Sequence, residues 1–155
     1  MIKPSNKRVE YVIMCIGNID GGDDAIGPFI AKKLDEERFD GLVLDCGTVP
    51  ENFTSIIKKN NPKNLIIIDA SDMGLDHGKI RIITKEKIGV MHISTHGIPI
   101  SVIMNYLNQY VENMIFIGIQ PLEMSGHITK VVRDSAEKLI KIIKNKDFSQ
   151  IKTLE

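Results

Sequence analysis

The chain has 155 residues, with 20 Lys+Arg against 20 Asp+Glu and no net charge when His is neutral. That length points to one domain spanning 1–155 that buries roughly 70% of its unfolded surface, so a core needs no disulfide framework or structural metal; 43% hydrophobic and 26% charged residues exclude collagen-like, disordered and small disulfide-scaffold classes. The balanced charge argues against a general nucleic-acid binder, and no apolar run approaches the roughly 18 residues of a membrane-spanning helix.

Residues 1–8 contain no apolar stretch ending at a small-residue cleavage site, so they read as a loose terminus of a cytoplasmic protein and not as a signal peptide. Residues 9–16 are β-branched and end at Gly17-Asn18, which predicts a buried strand. Ile26, Phe29, Ile30 and Leu34 have helical spacing and predict a helix over 25–37, with Asp23 or Asp24 as its cap and Pro28 in its first turn. A second strand is expected over 41–46 and a helix over 51–59, stopped by Asn60-Asn61-Pro62. Leu65 to Ile68 is fully apolar and ends in Asp69, a third buried strand.

Residues 79–83 alternate polar and apolar, as a half-exposed and antiparallel strand would. A helix over 99–111, a strand over 114–119 and a last helix over 129–144 follow; the polar tail from 145 to 155 reads as loose. This order predicts an α/β fold: a three-layer sandwich with a central, mostly parallel twisted sheet of about five strands and helices on both faces. Ligands of such sheets bind outside the carboxyl ends of the strands, so the polar residues there carry the functional information.

The loop after the first strand, residues 17–27, is glycine-rich but carries neither G-x-G-x-x-G nor G-K-[ST]. Asp20, Asp23 and Asp24 put negative charge where a phosphate would have to sit, which suits a cation or an amine better. Asp45 ends the second strand and reads equally as a turn residue or a supporting acceptor. Asp69 at the mouth of a buried strand is costly unless paired, hydrogen-bonded or metal-bound. His77 and His127 sit in turn contexts and read as surface residues, and Asp72 as a loop residue. His92 and His96 have the spacing of a zinc helix, but Ile93 stands where that motif needs Glu, and Ile93-Ser94-Thr95 is poor helix. His96 instead lies in a loop leading into the next helix, where an imidazole can bind metal or move protons.

Asp24, Asp69 and His96 make a three-ligand open cation site if the fold brings them together, with zinc, nickel, cobalt and manganese all compatible. The two aspartates could alternatively share a proton as an aspartic pair. Cys15 and Cys46 read as buried free thiols, with thiol catalysis a minor alternative.

The blocks Gly17-Asn18…Gly22-Asp23-Asp24-Ala25-Ile26-Gly27-Pro28, Asp45-Cys46-Gly47-Thr48-Val49-Pro50-Glu51-Asn52, Asp69-Ala70-Ser71-Asp72-Met73-Gly74, Ser94-Thr95-His96 and Gly118-Ile119-Gln120-Pro121 occur in this order along nearly the whole chain. Together the sequence resembles the hydrogenase maturation proteases, in wording closest to the hydrogenase-3 and archaeal branch. The resemblance implies an endopeptidase that removes the C-terminal extension of the [NiFe]-hydrogenase large-subunit precursor, with nickel in the precursor as the recognition signal. It assigns the nickel ligands to Asp24, Asp69 and His96 and an acidic supporting position to Asp45. Some family members carry Glu at the position of Asp24. Asp45 or Asp24 is the candidate proton acceptor, and aspartyl and metal-assisted hydrolysis both stay open. Nickel would arrive with the precursor, while other divalent ions could occupy the site in vitro. The same ligands would serve a non-catalytic nickel-sensing scaffold or metallochaperone. The precursor is the expected partner, with no nucleic acid or membrane, and the protein is expected to be a monomer.

Overall fold

The computed structural model describes residues 8–91 and 97–155. Five strands form one sheet: β1 (Tyr11–Cys15), β2 (Leu42–Asp45), β3 (Asn64–Ala70), β4 (Ile80–Ile83) and β5 (Asn113–Ile119). Their spatial order is β2-β1-β3-β5-β4, parallel except for β4, which pairs antiparallel with β5. This is the mostly parallel sheet expected from the order of elements, including the inverted edge strand.

The strands are apolar on both sides because helices cover both faces. On one side Ile13, Cys15, Ile66, Ile68, Ile117 and Ile119 pack against α1 (Ile26–Glu36) and α5 (Lys130–Asn145). On the other, Val12, Met14, Leu65, Ile67 and Phe116 pack against α2 (Thr54–Asn60), α3 (Lys85–Val90) and α4 (Ile100–Leu107). The three-layer sandwich follows directly from the period-2 alternation in the strands and the helical spacing between them.

Several boundaries differ from expectation for local reasons. Residues 22–25 form a 3-10 turn ahead of α1, and neither Asp23 nor Asp24 caps the helix. Pro50 opens another 3-10 turn (Pro50–Phe53) before α2, which ends where Asn61 enters the left-handed region at φ 43°. The short helix α3 was not foreseen; it contains Gly89, and Thr84 caps it by accepting the Lys87 N–H at 3.4 Å. The helix expected over 99–111 is shorter, starting after Pro99 and ending before Asn108.

Of the loose termini expected at 1–8 and 145–155, the C-terminal one is docked instead. Residues 1–7 lie outside the described residues, but Arg8 is held by Glu112 at 2.9 Å and by the Asn61 carbonyl at 2.9 Å. The tail after α5 is docked. Phe148 packs on Tyr11, Ile151 is only 7% exposed, and the backbone of residues 152 and 154 bonds to Ile82 on the edge strand β4. Ile151, with Phe148 and Leu154 packed on the core beside it, supplies the burial, and an otherwise unpaired strand edge supplies the hydrogen bonds. Ile151→Ala is therefore expected to lower stability by about 2 kcal/mol in urea denaturation; a tail that merely lay on the surface would show no change.

Candidate active site

Strand order reverses direction between β1 and β3: the chain moves from β1 outward to β2, then returns to add β3 on the other side. At such a switch point the loops leaving neighbouring strands diverge and open a crevice at their carboxyl ends. The loop after β1 carries Asp24 and the end of β3 carries Asp69.

Two glycines shape the first loop. A Cβ on Gly17 would come within 1.9 Å of the Asp24 carbonyl oxygen, so only glycine lets the loop fold back onto the strand end. Gly22, at φ +61°, packs where a Cβ would lie 2.5 Å from the Ser125 amide nitrogen. The loop is fixed further by Asp23, which is fully buried. Its carboxylate accepts the N–H groups of Leu122 (2.8 Å), Glu123 (2.9 Å) and Thr129 (2.7 Å), and the Thr129 hydroxyl (2.9 Å). Burial by itself raises the pKa of Asp23, but these donors outweigh it and hold the carboxyl below its usual value. Asp23 thus ties the first loop to the segment that leads into α5.

With Asp23 turned to that task, Asp24 is free to face the crevice. It is half-buried, and its Oδ2 accepts the Asn18 N–H at 2.9 Å. The turn that holds it packs against β3. Asp69 is 4% exposed, and its Oδ1 has no hydrogen-bond partner among the described residues. Burial, and then the negative charge of Asp24, push the Asp69 carboxyl well above the usual carboxylate range. The fold therefore brings Asp24 and Asp69 into electrostatic contact. Among the described residues no three His, Cys, Asp or Glu side chains gather to hold a metal ion. His96, the third of the expected ligands, lies outside the described residues, as does His92.

Asp45 is placed differently. It pairs in register with Cys15, whose side chain is on the α1 side, whereas Leu44 and Cys46 pack on the α2 side. By strand alternation Asp45 points toward α1, and it lines a cavity there of about 610 Å³. Asp69 has the parity of Leu65 and Ile67 and lies on the opposite side. Asp45 is exposed, and its Oδ1 accepts the Gly47 N–H at 3.2 Å.

The two thiols are buried in clusters on opposite faces of the sheet. Burial, and then the charge of Asp45, push Cys46 up to about 12, and burial raises Cys15 as well. Neither provides a thiolate at neutral pH. His77 and His127 are exposed, as expected of turn residues.

Three further polar residues follow the ends of β3, β5 and β2. Ser71 is buried, and its Oγ has no partner among the described residues. It follows Asp69 by two positions, so strand periodicity alone could have indicated that it shares Asp69's face. Gln120 is buried; its Oε1 accepts the Met73 N–H at 2.6 Å and the Leu75 N–H at 3.3 Å, and its Nε2 donates to Asp72 at 3.1 Å. It fixes the loop that follows β3. Glu51, in the turn after β2, has a buried Oε2 with no partner among the described residues. Glu51 and Gln120 stood within recognised blocks without an assigned role.

The profile of the hydrogenase maturation protease family matches residues 28–146. The chain belongs to that family. It is 36% identical over 130 residues to the hydrogenase 3 maturation protease of Escherichia coli, covering 81% of this chain and 83% of that one. Among solved structures, the crystal structure of the hydrogenase 3 maturation protease superposes with a TM-score of 0.90 at 31% identity, covering 97% of this chain and 99% of that one. A [NiFe] hydrogenase maturation protease from Thermococcus kodakarensis gives 0.80 at 29% identity, covering 90% and 92%. The protein is accordingly a hydrogenase maturation protease, a hydrolase of a peptide bond. Among the described residues no helix is long and apolar enough to cross a membrane.

Proposed function

We propose that this protease removes the C-terminal extension of the [NiFe]-hydrogenase large-subunit precursor after nickel insertion, and that Asp24, Asp69 and His96 engage the nickel that the precursor carries. The observation behind this reading is the state of Asp69. Its carboxyl is buried with one oxygen unpartnered, beside a second negative charge from Asp24. A protein gains nothing from such a pair in isolation, because burial and like charge both oppose ionisation. A divalent cation relieves both penalties, and a carboxylate–carboxylate–imidazole set suits nickel among other divalent ions.

In this reading the nickel is part of the substrate. Once engaged, it supplies Lewis acidity toward the scissile carbonyl or the attacking water. The chain's own contribution is positioning. Asp23 and Gln120 hold the two loops, so the ligands meet the precursor in a fixed geometry. Proton acceptance falls to a carboxylate at the same edge. Asp45 and Asp24 are the candidates: Asp45 is free of nickel but looks onto the α1 side, and Asp24 could serve only through an oxygen that nickel leaves uncoordinated. The enzyme would work as a monomer in the cytoplasm, a compartment that suits its two free cysteines.

The carboxylate requirement is tested at Asp24. Asp24→Glu, which keeps the charge and lengthens the reach, is expected to retain measurable cleavage of nickel-loaded precursor. Asp24→Asn is expected to show none by intact mass. Equal activity in both variants would remove Asp24 from nickel engagement.

A further inference from the structure

We propose that the cavity on the α1 side receives an extended stretch of the precursor's C-terminal extension, with an apolar side chain seated between Phe29 and Ile128 and an acidic side chain between Lys32 and Arg133. The inference rests on the processing reading above and specifies how the extension is held.

The cavity of about 610 Å³ has room for several side chains. Gly22 and Ala25, which form part of its wall, belong to the same 3-10 turn that carries Asp24. A peptide lying along the Asp24–Asp69 edge reaches the cavity by crossing that single turn. The opposite wall is residues 126–128 and the start of α5, and the buried Asp23 bonds fix that segment against the first loop. The cavity is therefore formed before a peptide arrives, which spares the cost of ordering it on binding.

Its chemistry is divided. Phe29 and Ile128 are half-buried and apolar, while Lys32 and Arg133 are exposed. Among the described residues neither cation forms an ion pair, although four other pairs do form on this surface. Asp45 is the one acidic residue among those lining the cavity, and it is engaged by the Gly47 N–H. Two unpaired cations over an apolar floor complement a carboxylate that follows an apolar residue. Exposed side-chain cations suit an acidic side chain, since a chain-terminal carboxylate is typically captured by a nest of backbone N–H groups.

The test measures kcat and KM on nickel-loaded precursor for Lys32→Glu, Arg133→Glu and their combination. Lys141→Glu, on α5 outside the cavity, is the control. Each cavity variant is expected to raise KM about five-fold with kcat unchanged, and the pair to raise it further. Changing the matching acidic residue of the extension to Lys is expected to restore the parent KM. Unchanged KM in the double variant would overturn the proposal, and so would a loss confined to kcat. A KM that depends on the position of the precursor's last residue, and not on its acidic side chains, would also overturn it. Failure of the unmutated enzyme to cut nickel-loaded precursor would instead strike the processing reading and leave the cavity variants uninformative about it.

Discussion

Asp69→Asn is expected to stop processing while making the free protein more stable. The two effects have one origin. The fold holds Asp69 with its carboxyl buried and one oxygen unpartnered, so the protonated form is favoured in the folded state. Its folded pKa lies above the usual value of 3.8, with burial the larger cause and the charge of Asp24 the second. Below pH 3.8 both folded and unfolded states carry the proton and no penalty arises. As pH rises, the unfolded chain releases its proton first, and the folded state is progressively disfavoured until its own pKa is passed. Asparagine keeps the shape without the ionisation, so the excess in Tm of the variant over the parent should grow from pH 4 toward neutrality. Processing, by contrast, should fall at least about a hundredfold, because even groups that only support a metal ligand cost ten- to a hundredfold when replaced. A variant with parental activity, or a Tm difference that does not change with pH, would contradict this account of Asp69.

Asp23→Ala is expected to produce the largest loss of stability of any single aspartate. It removes the acceptor for three backbone N–H groups and a hydroxyl, at a residue that is itself fully buried. Hydrogen bonds to a buried charge are stronger than neutral ones, and the stranded N–H groups add their own desolvation cost. The expected loss is about 3 kcal/mol, or roughly 10 °C in Tm for a domain of this size. The sign with pH is opposite to that of Asp69. The folded pKa of Asp23 is lowered, so its stabilisation is present above 3.8 and is lost as pH falls through the folded value. The parent should show an acid-induced loss of stability that Asp23→Ala lacks. If the variant unfolded with the parent's midpoint, Asp23 would not be the link between the first loop and the segment before α5.

The aspartates at these strand ends show what a sequence can reveal here. The placement of Asp24 and Asp69 at the strand ends beside the switch point was legible, because the order of elements implies that point. The role of Asp23 was not, because its partners lie about a hundred residues further along the chain. Locally it looked like a helix cap, and only the tertiary fold decides between cap and cross-link. The side taken by Asp45 was recoverable in principle. It follows from the register with Cys15 and the period of two, but that register is itself a tertiary fact. The strands were legible because burial on both faces of a parallel sheet leaves continuous apolar runs, and the long helices because a single buried face leaves a helical period. Helix α3 spans only six residues and the docked tail has one buried apolar residue, Ile151, so neither carries enough periodicity to be seen.

The most direct measurement is the intact mass of large-subunit precursor after incubation with this protein, in nickel-loaded and nickel-free forms side by side. The account predicts loss of a C-terminal peptide from the loaded form alone. Equal cleavage of both forms would keep the protease but contradict nickel engagement by Asp24 and Asp69, and no cleavage of the loaded form would contradict the proposed substrate.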